Sequence, residues 1–270
     1  MTIAFNQATV AAEPAGHGVV RQRLLTDERV TGTNVLLERL TLEAGTTIQL
    51  EPTATSLIWL HLLAGEAKLD TLYTNQMTDT HSAFLPPGFS GSLSTENGAS
   101  LLYAEVLNGG GSDLPRLMVV NWTREPVFKS ERDARKRIAL VSDEVCSTKA
   151  IKIEMVIYPP GSGSASHHQA GAAFFMYVMD GRGTAATKDQ SFSLQRGDLI
   201  YFPHREQRSI NAADNSELRF LAFYVPGEFK TVWADPREAS AWRSTRLDIN
   251  GYQTLNDQKD SRNSRAGGAF

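Results

Sequence analysis

Hydrophobic and polar residues alternate over short stretches of this chain, and turn-forming residues divide the stretches. Val35–Leu42 (Val-Leu-Leu-Glu-Arg-Leu-Thr-Leu) has the two-residue period of a half-buried strand, and Ala44-Gly45 turns it. Residues 56–63 form a dense apolar run that contains Trp59 and stops at Gly65. Its length and its flanking glycine favour a strand buried on both faces over a helix. Further short strands are predicted at 17–24, 83–85, 100–106 and 117–122. The pattern then begins again. Ile-Lys-Ile-Glu-Met-Val-Ile-Tyr at 151–158 alternates, 174–179 is apolar, and strands are predicted at 199–202 and 218–225. Residues 231–243 are read as a candidate helix. Short strands with frequent turn signals indicate an all-β sandwich or barrel.

The restart is an internal repeat. Leu63-Ala64-Gly65 returns as Met179-Asp180-Gly181, and Ala44-Gly45 returns as Pro160-Gly161, both 116 positions on. Pro86 returns as Pro203, 117 positions on. A period this long means two copies of one domain, because solenoid units are shorter. The expected organisation is a first barrel at 1–112, a connecting segment at 113–149, a second barrel at 150–245 and a loosely held polar tail at 246–270. Asn-Gly-Gly-Gly-Ser-Asp at 108–113 reads as a flexible link. The mixed-sign run at 129–137 is preferred as a solvated turn or short helix over a nucleic-acid patch.

Composition narrows the class. The 270 residues suit two small domains, and 41% hydrophobic with 21% charged residues is ordinary for a globular chain with real cores. A formal charge of −3 gives no support to nucleic-acid or anionic-membrane partners. The single Cys146 excludes an internal disulfide and fits a reducing compartment. The N-terminal residues lack the basic stretch and apolar core of a signal peptide, and no apolar run approaches the roughly 18 residues of a membrane helix. A soluble cytoplasmic protein is the expectation.

The Pro-Gly turn, the repeated glycine and the following Gly/Pro pattern resemble the cupin superfamily in its two-domain (bicupin) form. The resemblance covers about 45–106 and 160–225. It implies two tandem jelly-roll β-barrels with short helical or irregular connecting and C-terminal segments. Members of the family hold Mn, Fe, Zn, Ni or Cu with a His-x-His pair, a Glu and a later His. Residues two apart on a strand share a face, so a His-x-His pair points into one cavity. In the second copy the skeleton of Pro160-Gly161, Gly181, Gly197-Asp198 and Pro203 is kept, but the ligands mostly are not. The Glu position is Phe174 and the last His position is Arg208. The His-x-His positions are His167 and Gln169, or His168 and Ala170 with a shorter spacer. In the first copy the corresponding residues are Glu51, Thr53, Ile58 and Gly91, which suggests a filled or closed barrel. No metal cofactor is expected, and a divalent transition metal is the minority alternative. That alternative would use His167 or His168 with His204 and Gln169.

The candidate pocket therefore lies in the second copy. Its catalytic candidates are His167 and His168, of which only one can face inward. Its candidate substrate-binding residues are Arg208, Gln169, Tyr201, His204, Gln207, Phe174 and Met176. Arg208 carries a permanent planar cation, costly if buried alone. It must reach solvent, pair with an acid such as Glu154 or Glu206, or await an anionic ligand. His61, three residues past Ile58, falls on the opposite strand face and is read as structural.

Three functional readings remain open. The first is a metal-independent isomerase, cyclase or hydrolase acting on a carboxylate-bearing metabolite. The second is a binding or dimerisation cupin without catalysis. The third is a metal-dependent bicupin resembling the ureidoglycine aminohydrolase-like group, with atypical ligands. A small anionic ligand and a homodimer are the expected partners.

Overall fold

The computed structural model describes residues 1–71, 73–107 and 115–255; the link expected at 108–113 and the tail beyond 255 lie outside these residues. The regular structure of the described residues is nearly all antiparallel strand, in two compact units. One unit is Gln7–Trp122 with Cys146–Ala150. The other is Met1–Asn6, Thr123–Val145 and the chain from Ile151 onward.

In the first unit a seven-stranded sheet and a four-stranded sheet supply the two walls of the barrel. Val35–Leu42, Ala99–Val106 and Leu57–Gly65 are neighbours in the larger sheet, in the region where the sequence alternates or runs apolar. Thr47–Leu50, Gly91–Ser94 and Ala67–Asp70 are neighbours in the smaller one. The core draws from both sheets: Leu40, Ile58, Leu60, Leu69, Leu85, Leu93 and Leu101 are buried together, with Phe89 packed against them. Burying such side chains is the main favourable term for a barrel of this kind, at roughly 1.5–3 kcal/mol each.

The second unit is built around one 14-residue strand, Ala173–Ala186. Its first half pairs with Asp198–Phe202 and Leu218–Val225, and its second half with Ser191–Gln195 and Ser209–Ala212. Beyond Leu218–Val225 the sheet continues through Lys152–Tyr158, Lys136–Val141, Phe128–Ser130 and Trp242–Ser244. A separate ribbon joins His167–Ala170 to Lys230–Trp233. The opposite edge is closed by Ile3–Asn6, which pairs with Asp198–Phe202. There the Asn6 amide donates to the Asp198 carboxylate at 2.7 Å and to the Arg196 carbonyl at 3.1 Å.

Two stretches depart from the sequence reading. Residues 231–243 form no helix: the strand Lys230–Trp233, a 3₁₀ turn at Pro236–Glu238 and the strand Trp242–Ser244 take their place. Asp235 caps the turn, its carboxylate accepting the Arg237 N–H at 2.9 Å, and the proline after it disfavours helical backbone at that point. Residues 129–137 are not a solvated turn throughout. They include the ends of two paired strands, and Arg135 is only 3% exposed.

The repeated glycines have a common physical cause. Gly65 has φ +81° and Gly181 φ +85°, the left-handed region that only glycine enters cheaply. Each faces the neighbouring strand with no room for a side chain. A Cβ at Gly65 would stand 2.4 Å from the Gly98 carbonyl oxygen, and one at Gly181 would stand 1.7 Å from that of Glu217. The strand ladder slips register close to each of them. Gly45 also has a positive φ, of +75°, but open space around it. Gly181→Ala is therefore expected to cost roughly 3 kcal/mol or more, because steric overlap adds to a backbone penalty of about 1–3 kcal/mol. Gly45→Ala should cost only about 1–2 kcal/mol. Urea unfolding of the two variants checks the order.

Candidate functional site

The core of the first barrel is a hydrophobic cluster. Ile58 is in its core, and Gly91 is pressed by the Asp70 carbonyl and the Phe89 ring, 2.5 and 2.6 Å from where a Cβ would be. Glu51 and Thr53 are exposed. His61 is fully buried, its Nδ1 2.9 Å from Ser82 Oγ and its ring stacked at 5.9 Å on Trp59. That is a structural histidine.

In the second barrel His167, Gln169, Phe174 and Arg208 converge. His167 and Gln169 are two apart on one strand and share its inner face. The backbones of His167 and Arg208 form an antiparallel bridge, each N–H donating to the other's carbonyl at 3.0 and 2.9 Å, which carries the Arg208 side chain inward. Arg208 is 2% exposed. Its guanidinium carbon lies 3.7 Å from the centre of the Phe174 ring and 5.2 Å from that of Phe202. One Nη donates to Gln169 Oε1, while Nε is buried with no hydrogen-bond partner among the described residues. Burial lowers the Arg208 pKa to about 10, so the group stays charged at neutral pH. Among the described residues no carboxylate forms an ion pair with it.

These residues do not fit a cupin metal. Phe174 offers no lone pair, the Gln169 oxygen is taken by Arg208, and Arg208 itself brings positive charge where a divalent cation would lie. Only the Nε2 of His167 remains as a donor. Among the described residues no group of three or more His, Cys, Asp or Glu side chains converges elsewhere either.

His167 has a fixed tautomer. Its Nδ1 donates to the Ala165 carbonyl at 2.8 Å, leaving the Nε2 lone pair free of that bond, and its ring lies 4.7 Å from Trp233. Burial, then the Arg208 charge, push its pKa down to about 3, so it is neutral over the physiological range. Part of the ring remains open, because it borders a cavity of about 70 Å³.

Gln169, Arg135, Arg137, Lys152, Glu154 and an aromatic set of Tyr158, Tyr224, Phe229, Trp233 and Trp242 also line that cavity. Lys152 and Glu154 are two apart on Lys152–Tyr158 and share its inward face. Lys152 Nζ and Arg137 Nη1 approach the same Glu154 oxygen, at 3.2 and 3.4 Å. Burial would raise the Glu154 pKa, but Arg137 and Lys152 hold it below the ordinary carboxylate value. Arg135 is engaged by Asp133 at 2.8 Å and by the Tyr158 hydroxyl at 3.3 Å. The Arg137 guanidinium stacks 4.8 Å from the Trp242 ring. Arg208 does not itself line the cavity and lies behind Gln169. The walls carry more positive than negative charge, and low-dielectric surroundings strengthen its attraction for an anion.

The other sequence candidates lie elsewhere. Met176 is in the barrel core. His168 faces away from His167, with its pKa lowered by burial, Arg208, Arg205 and His204. Tyr201 is on the face opposite Ile200 and Phe202 and half-buried, and burial raises its pKa. His204 and Gln207 are exposed. The structure does not bring these five into the cavity. The sequence reading missed Arg135, Arg137, Lys152, Trp233 and Trp242. Their only signal was the alternation that puts Lys152 and Glu154 on the face of Val156 and Tyr158.

Residues 154–224 match the family model described as the cupin domain. The chain is 28% identical over 86 residues to the oxalate-binding protein of Thermotoga maritima, which spans 32% of this chain and 71% of that one. It is 29% identical over 70 residues to an uncharacterized protein of Methanocaldococcus jannaschii, covering 26% of this chain and 56% of that one. Among solved structures, a variant of oxalate decarboxylase from Bacillus subtilis superposes with a TM-score of 0.70 at 14% identity, covering 87% of this chain and 80% of the other. Protein Ylba of E. coli gives 0.70 at 11% identity, covering 84% and 91%. The domain match and the shared fold together support the cupin superfamily.

Two expectations follow. A histidine in an unfolded chain binds a proton below about pH 6.5, whereas His167 in the barrel does so only near pH 3. Unfolding therefore takes up a proton in that window, and stability falls as the pH drops from about 6.5 toward 3. Urea midpoints at pH 7.5 and 4.5 should drop less for His167→Gln than for the unaltered protein. Separately, removing both partners of the buried Arg208–Gln169 bond, as Arg208→Met with Gln169→Leu, should leave stability unchanged or raise it by about 1–4 kcal/mol. Thermal or urea unfolding measures this.

Proposed function

We propose that this chain is a bicupin whose second barrel binds a small carboxylate without a metal. The observation that carries the reading is the set of cations around a small cavity: Arg135, Arg137 and Lys152 line it, and Glu154 is the one carboxylate that does so among the described residues, with Arg208 behind. A guanidinium and an ammonium are suited to carboxylate oxygens, the former through its planar fork. The cavity of about 70 Å³ limits the ligand to a few heavy atoms. Oxalate, which the Thermotoga maritima relative is named for binding, is a ligand of this size and charge. The aromatic walls and the cationic side chains would orient such an acid.

The fixed tautomer of His167 favours a second reading, in which the bound acid is also transformed by an isomerase-, cyclase- or hydrolase-like step. Its imidazole is a weak base in the empty barrel, and a bound anion would offset the Arg208 charge and raise its basicity. A ureidoglycine aminohydrolase-like activity calls for a metal that the residues at these positions do not fit, so it is not the preferred reading.

Calorimetric titration with oxalate and other small acids tests the proposal. Binding is expected to persist in excess EDTA and to weaken by about tenfold or more in Arg137→Gln, because a partner of a buried charge cluster is removed. Loss of binding on chelation would overturn the metal-free reading. If the barrel also catalyses, His167→Gln should abolish turnover while keeping most of the affinity.

A further inference from the structure

We propose that Lys152 is a nucleophile that forms a protonated imine with a small 2-oxo acid held in the second-barrel cavity. This rests on the reading that the cavity takes small carboxylates, and adds the chemistry of the substrate's second functional group.

The placement of Lys152 is the reason. It is 5% exposed, on the inward face of Lys152–Tyr158, it lines the cavity, and its Nζ lies 5.7 Å from the centre of the Phe229 ring. It shares one Glu154 oxygen with Arg137, so two cations lean on one carboxylate. A buried ammonium beside a fixed cation is poor as a stabilising device, since its desolvation is costly. It is a sensible arrangement for holding an anion next to an amine. Arg137, with its permanent charge, can take the carboxylate, and Lys152 differs from it in the one respect that matters: an ammonium can lose its proton. Burial and the neighbouring Arg137 charge favour the neutral amine, and Glu154 opposes them; the net effect lowers the Lys152 pKa. Desolvation and a nearby cation are the two conditions that activate lysines for carbonyl chemistry. The Tyr224 hydroxyl also reaches Glu154, and burial keeps that phenol protonated.

The step balances within the cavity. The Lys152 ammonium gives one proton to Glu154, 3.2 Å away. The freed lone pair forms the C–N bond as the carbonyl π pair moves onto oxygen. That oxygen takes a second proton from the nitrogen, and Glu154 returns the first as the C–O bond breaks and water leaves. The product is a C=N bond bearing one proton, conjugated with the acid's carboxylate, and no oxidant or reductant is consumed.

Trapping tests this directly. The full chain is incubated with pyruvate or glyoxylate and sodium cyanoborohydride at neutral pH, and intact mass and peptide mapping follow. One reduced adduct per chain, located at Lys152 and lost in Lys152→Arg, is expected. A cooperative urea transition establishes that Lys152→Arg is folded. Adducts spread over other lysines, or an adduct that persists in Lys152→Arg, would overturn the assignment. So would the absence of any adduct from a protein that binds pyruvate. If neither oxalate nor pyruvate binds, the carboxylate reading and the imine fall together; if both bind and nothing is trapped, only the imine falls.

Discussion

A guanidinium buried in a β-barrel has few ways to be satisfied, and those available to Arg208 organise the second barrel. Its flat face rests on Phe174, one Nη bonds Gln169, and its backbone is bridged to His167. The cation thus ties the strand His167–Ala170 to Ala173–Ala186. Because it is never neutral at ordinary pH, it sets the sign of the potential behind the cavity and depresses the basicity of His167. At Arg208 the barrel thus carries a covalently attached cation, buried against Phe174 and Gln169. Such a cation offers directional N–H groups and no open coordination positions, which suits recognition of an anion.

The strands at the far side of the sheet extend this logic. Phe128–Ser130, Lys136–Val141 and Trp242–Ser244 continue the barrel sheet past Lys152–Tyr158, and they bring Arg137 and Trp242 to the cavity wall along with neighbouring Arg135. The aromatic rings there exclude water and stack on the arginines, so the charges sit in a medium of low polarisability. Lys152 and Glu154 complete the wall from inside the sheet. The first barrel took the opposite course: its inward positions are apolar, Gly91 leaves no space, and the interior is a packed core.

The sequence carried the fold through backbone constraints. Gly65 and Gly181 recur because no other residue fits opposite the next strand, and from Gly181 and Pro203 the positions of His167, Gln169, Phe174 and Arg208 could be counted before any coordinates. What could not be counted was the cavity's other wall. Arg135 and Arg137 lie in a run of mixed charges that looks solvated until its pairing partner is known. Trp233 and Trp242 flank Asp235-Pro236 in a segment whose short strands are stabilised by distant partners rather than by local propensity. His168, Tyr201, His204 and Gln207 were near the site in sequence, yet strand alternation and an exposed turn took them to other surfaces.

The edge strand Ile3–Asn6 has a consequence for biosynthesis. Its partner, Asp198–Phe202, is translated almost two hundred residues later. Throughout that interval the leading segment has no sheet to join, while the intervening barrel has all of its own strands in hand. The two units therefore differ in when they can mature: one can form as soon as its residues emerge from the ribosome, whereas the other must wait for Asp198–Phe202 before Ile3–Asn6 has its partner.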